Sequence, residues 1–280
     1  MEKSFIDKLM HLGIGTIYCS DTCIDSRIVC SAKENGLSCK SFVDCRTLSY
    51  YAVGTYNVNH KLVVVVCKGD NEFRNMTSAL TEAFYRCVPI LVVSLNSPSE
   101  SFDNDKILND IAKATYHSNN IDDCLNILDL MSTDKMPRIV FLNEQSGSMG
   151  HVLPKTVDSF LKTLPKNKEV FISDRFCTSN SDSTCRMVFG GTLSITLGAS
   201  LCDKNKDYYC LIPFEELITE INVFGNRHFG NNIKCIAIDY NNSDSDVFSH
   251  FCSAFGIKTV YSLEEIVSCN NCSVLCMIHA

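Results

Sequence analysis

The sequence predicts an α/β protein with two doubly wound parallel-sheet domains joined by a short connector. Strand and helix patterns alternate over the first hundred residues, and a second alternating stretch begins at Glu169. The strand patterns include short apolar runs at residues 62–67 and 89–93, which suit buried strands. Strands that alternate with helices in this way form a parallel sheet with helices on both faces.

Helical spacing and short apolar runs define the elements of the first half. The Asn35-Gly36 pair is a helix-stop signal, and Pro89 precedes a strand. The predicted helices span residues 5–12, 26–34, 46–53 and 75–86. The predicted strands span residues 16–19, 41–43, 62–67 and 90–95.

A polar stretch at residues 96–104, which contains Pro98 and several serines, predicts the exit from the first domain. The expected elements after it are helices at 105–116, 121–131 and 156–164, a strand at 138–142 and a Gly/Ser loop at 145–150. We therefore predict domains at residues 1–100 and 169–280, with residues 101–168 as a connector of helices and a strand.

The second alternating stretch contains five predicted strands and four predicted helices. The strands span residues 170–172, 208–212, 233–238, 259–260 and 274–278. The helices span residues 193–201, 214–224, 247–255 and 263–268.

Composition limits the classes of partner and compartment. The 280 residues are 45% hydrophobic and 20% charged, as expected of a globular protein with two domains. The net charge is −7 and no Lys/Arg stripe stands out, which argues against nucleic acid. The apolar runs are too short to span a bilayer, and the amino-terminal stretch has no signal-peptide core. The 17 scattered cysteines then favour a reducing cytoplasm.

Cys269, Cys272, Cys276 and His279 have a spacing that could hold zinc. The alternative is that residues 273–278 form a closing buried strand with Cys276 in the core. A metal site on one short terminal segment lacks the usual second ligand pair from elsewhere in the chain. The sequence does not decide between the two interpretations.

Two segments carry a resemblance to a known superfamily. The first half contains Asp44-Cys45-Arg46-Thr47, then Tyr51-Ala52-Val53-Gly54, and later Val88-Pro89-Ile90. This resembles the pyrimidine-binding domain of thiamine-diphosphate enzymes, in particular the MenD-like branch, which includes menaquinone-pathway synthases and relatives found with polysaccharide biosynthesis. The second half contains Gly190-Gly191, residues 197–201 and residues 225–232. It resembles the diphosphate-binding domain of the same branch, and the central domain of full-length relatives is missing or reduced to the connector.

The resemblance implies which positions would carry the chemistry. Cys45 stands where the family has the glutamate that activates the cofactor. Phe214 stands at the position of the metal-binding aspartate, and Pro213 replaces the glycine before it. A thiol cannot replace the carboxyl in the proton relay, and a phenyl ring offers no oxygen to magnesium. A general acid–base group typically contributes about 10²–10⁴-fold to rate, so we expect the usual chemistry to be impaired.

Other positions remain candidates for binding cofactor. The resemblance points to Gly190, Gly191, Asn226 and His228, and to Asp239 and Asn241 near the place of a family Asn pair. The alternative for Asn226 and His228 is that they cap a helix and tie the following turn, with no ligand.

Three functions follow as hypotheses. The first is a pseudoenzyme, structural or regulatory, without a bound cofactor; the resemblance implies a homodimer or homotetramer, or pairing with an active paralogue. The second is an active thiamine-diphosphate-dependent 2-oxoacid decarboxylase or carboligating synthase, a lyase or transferase, which holds Mg²⁺ through Glu215 with Asp239 or Asn241. The third is a small-molecule binding module that uses the interdomain cleft.

Overall fold

A computed structural model describes residues 2–95, 111–143, 151–164, 168–177, 185–188, 190–225, 232–241, 245–269 and 272–280. The chain divides into two compact units, Met1–Ser148 and Met149–Ala280. Each unit contains a six-stranded sheet whose strands pair in parallel. This architecture confirms the predicted fold class, α/β with two parallel sheets and flanking helices.

The first unit alternates strands and helices along the chain. Its strands are β1 (Thr16–Ser20), β2 (Ser38–Phe42), β3 (Val63–Lys68), β4 (Ile90–Leu95), β5 (Ala114–Ser118) and β6 (Arg138–Leu142). Its helices are α1 (Glu2–His11), α2 (Arg27–Glu34), α3 (Cys45–Asn59), α4 (Gly69–Asn75), α5 (Thr77–Tyr85) and α6 (Leu125–Thr133). The strand order in the sheet is β2-β1-β3-β4-β6-β5.

Strand β3 shows why this sheet is buried on both faces. Val64 and Val66 belong to the apolar cluster that includes residues of α1, α2 and α6. Val63 and Val65 belong to the cluster that includes residues of α3, α4 and α5. Successive side chains of a strand point to opposite faces, so a run of valines supplies both cores at once.

The second unit repeats this pattern. Its strands are β7 (His151–Val152), β8 (Glu169–Ser173), β9 (Phe176–Cys177), β10 (Cys185–Val188), β11 (Tyr208–Pro213), β12 (Ile233–Asp239), β13 (Lys258–Val260) and β14 (Val274–His279). Its helices are α7 (Lys155–Thr163), α8 (Thr192–Ser200), α9 (Phe214–Thr219), α10 (Ser245–Ala254) and α11 (Leu263–Ser268). The main sheet has the order β10-β8-β11-β12-β14-β13, and β7 pairs with β9.

Strands β11 and β12 lie in the centre of this sheet, and every residue of both is buried. Ile212 and Ala237 face the cluster that includes residues of α8, α9 and α10. Leu211 and Ile236 face the cluster that includes residues of α7 and α11. No helix in the described part of the chain is long and apolar enough to cross a membrane.

The structure differs from the predicted elements where local pattern is ambiguous. The prediction of a helix at residues 105–116 is wrong for residues 114–116. They belong to strand β5 (Ala114–Ser118), which pairs with β6 at the edge of the sheet. Residues 96–110 lie outside the described residues. A half-buried edge strand gains its backbone partners from a distant segment, and local periodicity does not report them. Strands β7, β9 and β10 were not predicted.

The predicted connector, residues 101–168, is divided between the two units. Strands β5 and β6 pair within the first sheet, whereas α7 packs through Val157 and Leu161 into a core of the second unit. The assignment of residues 1–100 and 169–280 to the two family domains stays a prediction.

A buried lysine holds the segment before β14. Lys234 on β12 is 2% exposed, and its Nζ donates to the carbonyl oxygens of Cys269 at 2.5 Å and Cys272 at 2.6 Å. Hydrogen bonds from a charged donor are shorter and stronger than those between neutral groups. The ammonium therefore satisfies two carbonyls that precede the last strand.

Lys234→Met is expected to lower the free energy of unfolding by about 2–4 kcal/mol, because the change leaves two carbonyl acceptors without their charged donor. Urea denaturation followed by circular dichroism measures the change. Lys204→Met is the matched control, because Lys204 is exposed and such a surface change stays within about 0.5 kcal/mol. Equal stability of the two variants would contradict the role of Lys234.

Candidate functional site

The first candidate residue, Cys45, lies at the start of α3. Asp44 caps this helix, because its carboxylate oxygens accept from the backbone N–H groups of Arg46 at 3.1 Å and Thr47 at 3.0 Å. Cys45 itself is 3% exposed and belongs to an apolar cluster with Leu48. The local sequence therefore builds a capped helix whose first residue points its side chain into the core.

Phe214, the second candidate, follows the carboxyl end of β11. Pro213 is the last residue of the strand and Phe214 is the first of α9. The phenyl ring is 3% exposed and lies 5.2 Å from the Phe248 ring in an edge-on arrangement. Aromatic pairs prefer this geometry, so the side chain contributes to core packing. A carboxylate here would have to enter an apolar cluster.

Glu215, Asp239 and Asn241 meet at the carboxyl edge of the second sheet. The Asn241 Nδ2 donates to Glu215 Oε1 at 2.6 Å, and the Asn241 backbone N–H donates to Asp239 Oδ1 at 2.9 Å. Asp239 is fully buried, and its Oδ2 lies 3.5 Å from His279 Nδ1. The other Glu215 oxygen, Oε2, is buried and has no hydrogen-bond partner among the described residues. The structure thus links, through Asn241, the three residues predicted as alternative metal ligands.

Gly190 and Gly191 lead into α8 with left-handed backbone, at φ of 74° and 72°. Glycine adopts this conformation without the strain that a Cβ atom would add. Two amide groups in the first turn of the following helix are already occupied. The backbone N–H groups of Leu193 and Ser194 donate to the Glu220 carboxylate at 3.2 and 2.8 Å, and the Ser194 hydroxyl donates to it at 2.5 Å. Helix amino termini attract anions, and here a carboxylate of the same chain fills that place.

Glu216 makes a second contact between α9 and the start of α8. Its carboxylate accepts from the hydroxyls of Ser173 at 2.5 Å and Thr192 at 2.7 Å. Burial raises the pKa of the neighbouring Glu220 carboxyl, while the bonds from Ser194 and Leu193 oppose this shift and Glu216 adds to it. Sequence reasoning missed this pair. The available signal was the spacing of two glutamates, four residues apart, which places both on one helix face.

His151 and Tyr240 form a stacked pair near Glu215, which the sequence also did not reveal. Their ring centroids are 4.3 Å apart with an interplanar angle of 12°, and the Tyr240 hydroxyl donates to the Val152 carbonyl at 2.8 Å. Burial lowers the pKa of His151. Burial, with the Glu215 charge, raises the pKa of Tyr240 to about 12. Both rings are therefore uncharged at neutral pH.

Two of the candidate cofactor-binding residues, Asn226 and His228, lie outside the described residues. Asn232, which precedes β12, donates from Nδ2 to the carbonyls of Ser200, Asp203 and Lys206 at 3.0–3.3 Å and so ties the loop after α8.

The cysteines near the carboxyl terminus lie in different surroundings. Cys276 is fully buried in β14, where its Sγ lies 3.5 Å from the Ser262 carbonyl oxygen. Cys269 lies 3.4 Å from Lys258 Nζ, and His279 lies beside Asp239. Within the ranges that the structure describes, no group of three or more His, Cys, Asp or Glu side chains is placed to hold a metal.

The residues at the predicted cofactor positions do not fit the usual magnesium and diphosphate arrangement. Magnesium requires oxygen ligands, and Phe214 places a phenyl ring in an apolar cluster. Pro213 has no N–H to offer to a phosphate, and the first free amides of α8 already bond to Glu220. Glu215, Asp239 and Asn241 carry other side-chain oxygen atoms at this edge of the sheet.

Comparison with known proteins supports a relationship over part of the chain. No family model matches. A 72-residue stretch, 26% of this chain, is 31% identical to 2-succinyl-5-enolpyruvyl-6-hydroxy-3-cyclohexene-1-carboxylate synthase of Flavobacterium johnsoniae. A 98-residue stretch, 35% of this chain, is 26% identical to the synthase of the same name from Geobacillus thermodenitrificans. These matches cover only 13% and 17% of the two relatives.

A solved structure, the thiamine diphosphate-dependent 4-hydroxybenzoylformate decarboxylase of Rhodococcus jostii RHA1, superposes with a TM-score of 0.45 at 9% identity, over 100% of this chain and 98% of that chain. The sequence matches and the two parallel sheets together relate the chain, over part of its length, to the MenD-like branch of the thiamine-diphosphate enzyme superfamily.

Proposed function

We propose that the protein is a thiamine-diphosphate-enzyme-fold protein without the usual cofactor chemistry, which acts as a structural or regulatory subunit. The burial of Phe214 is the observation that carries this proposal. Its ring packs on Phe248, at the position where the resemblance places the metal-binding aspartate. A site that needs an oxygen ligand has there a side chain that stabilises the core instead.

Cys45 supports the proposal from the first unit. Its side chain is buried with Leu48 and Ala52 of the same helix, in the apolar cluster that covers one face of the first sheet. A weak thiol donor in apolar surroundings does not replace a carboxyl that must hold and release a proton. On the proposed alignment, the residues for both cofactor activation and metal binding have changed.

The third supporting observation is that amides at the start of α8 donate to a carboxylate of the same chain. Glu220 already accepts from two amides at this helix start, and Glu216 accepts from the Thr192 hydroxyl. A diphosphate would have to displace a buried carboxylate and would meet its negative charge at short distance. Like charges at such a distance repel each other strongly in a buried site.

The subunit role rests on the family resemblance. Members of the superfamily place the cofactor between domains of two subunits, so we propose a homodimer or homotetramer, or assembly with an active paralogue, in the cytoplasm. In such an assembly the surfaces of this chain would complete a site whose chemistry another subunit performs.

A second candidate function is an active decarboxylase or carboligating synthase with a modified site. The juxtaposition of Glu215 and Asn241, together with the unpartnered Glu215 Oε2, favours this candidate. Glu215, Asp239 and Asn241 would hold Mg²⁺, which would anchor the cofactor's diphosphate. The module that binds another small molecule remains a third candidate.

Titration calorimetry with thiamine diphosphate and Mg²⁺ tests the proposal. We expect no saturable heat for the wild-type chain, because the described site lacks the usual ligands. Micromolar binding of thiamine diphosphate that a chelator abolishes would contradict the proposal that the protein is a pseudoenzyme. Binding that Glu215→Gln removes would support the enzyme with a modified site. Glu264→Gln, at an exposed position of α11, is the control and should not change the binding.

The double change Pro213→Gly, Phe214→Asp is expected to create metal-dependent stabilisation. The new carboxylate lies in an apolar cluster, so the variant should be less stable than wild type without ligand. Mg²⁺ with thiamine diphosphate should then raise its Tm, because a ligand at a hundredfold excess over Kd adds about 2.7 kcal/mol to the free energy of unfolding.

The matched control is Pro213→Gly, Phe214→Asn, which has the same shape without the charge. Circular dichroism establishes that both variants fold. A folded Asp variant whose Tm does not respond to Mg²⁺ and cofactor would contradict the proposed position of the lost metal ligand.

A further inference from the structure

The first unit contains a cavity of about 290 Å³ at the amino edge of its sheet. The loop before β1, the strand itself and the last turns of α3 form its walls, together with the short loop that leads into β3. Sites for small ligands begin at roughly 300 Å³. Its place, at the amino ends of β1 and β3, is away from Cys45, which follows the carboxyl end of β2.

A mostly buried tyrosine lines the cavity together with two other polar side chains. Tyr18 is 6% exposed, and its ring packs 5.4 Å from the Tyr51 ring. Thr16 and Asn59 also line the cavity. Tyr18, Thr16 and Asn59 thus supply polar groups to the lining.

The charge of the lining defines the class of ligand. Lys61 is the one charged side chain among the described residues that line the cavity. Its Nζ donates to the Gly13 carbonyl at 3.0 Å, and an ammonium group has two further N–H donors. With Asn59 and Tyr18, the cavity therefore presents a cation and neutral donors. A carboxylate is the matching acceptor, because charge-assisted bonds are the stronger kind.

The size and the apolar part of the lining define the rest of the ligand. Ile14, Leu62 and Val63 supply apolar surface. A volume of 290 Å³ equals roughly ten water molecules at about 30 Å³ each, which suits a carboxylate with one small ring or a short chain. We propose that this cavity is a binding site for a small monocarboxylate, held by Lys61, Asn59 and Tyr18 against an apolar wall.

Benzoate is the probe, with benzyl alcohol as its uncharged counterpart. Titration of the full ¹⁵N-labelled chain, followed by amide chemical shifts, should give saturable binding of benzoate at about millimolar Kd, and weaker binding of benzyl alcohol by about tenfold. The shifts should concentrate at residues 13–18 and 55–63. Absence of saturation, or shifts that concentrate elsewhere, would overturn the proposal.

Two variants separate binding from folding. Lys61→Met keeps the length of the side chain and should weaken benzoate binding by about tenfold or more, because the change removes the cation. Tyr18→Phe keeps the packed ring and should weaken benzoate binding by about threefold, because the change removes one hydrogen-bond donor. Lys3→Met, on α1, is the control and should leave the affinity unchanged. Unchanged affinity in a folded Lys61→Met chain would overturn the assignment.

Discussion

The parallel pairing of β11 with β12 determines which side chains meet at the candidate site. The register joins Tyr208 to Ile233 and Pro213 to Ile238, and both strands are buried throughout. A shift of one residue would turn every side chain of a strand to the other face of the sheet, so the apolar cores hold the register. Because both strands end at the same edge, Glu215 reaches Asn241. The polar constellation is thus a consequence of apolar packing.

Core packing decides which side chain occupies the end of β11. Phe214 fills part of the cluster beneath α10, and its neighbour Glu215 points to the polar edge instead. Adjacent residues at a strand-to-helix junction face different surroundings, so one of them is in the core when the other is at the edge. The aromatic residue Phe214 occupies the first position after β11, where it stabilises the unit. The nearest carboxylate, that of Glu215, lies one residue further along the chain.

The charges at this edge are largely satisfied within the chain. Glu220 binds the amides of α8, Glu216 accepts from Ser173 and Thr192, and Asp239 lies beside His279. Buried carboxylates need such partners, since an unpaired buried charge is costly. These contacts give the polar residues a structural role that requires no ligand. The Glu215 Oε2 atom is the described exception.

The sequence by itself determined the fold class, because β3, β4, β11 and β12 consist mostly of apolar residues, which predicts burial on both faces. It also predicted that Cys45 and Phe214 depart from a family pattern. It did not reveal β5, the stacking of His151 on Tyr240, or the bonds from Glu216 and Glu220 to the start of α8. Only the tertiary structure decided these, because each joins segments distant along the chain, and local periodicity reports which face a residue occupies but not which partner lies opposite it.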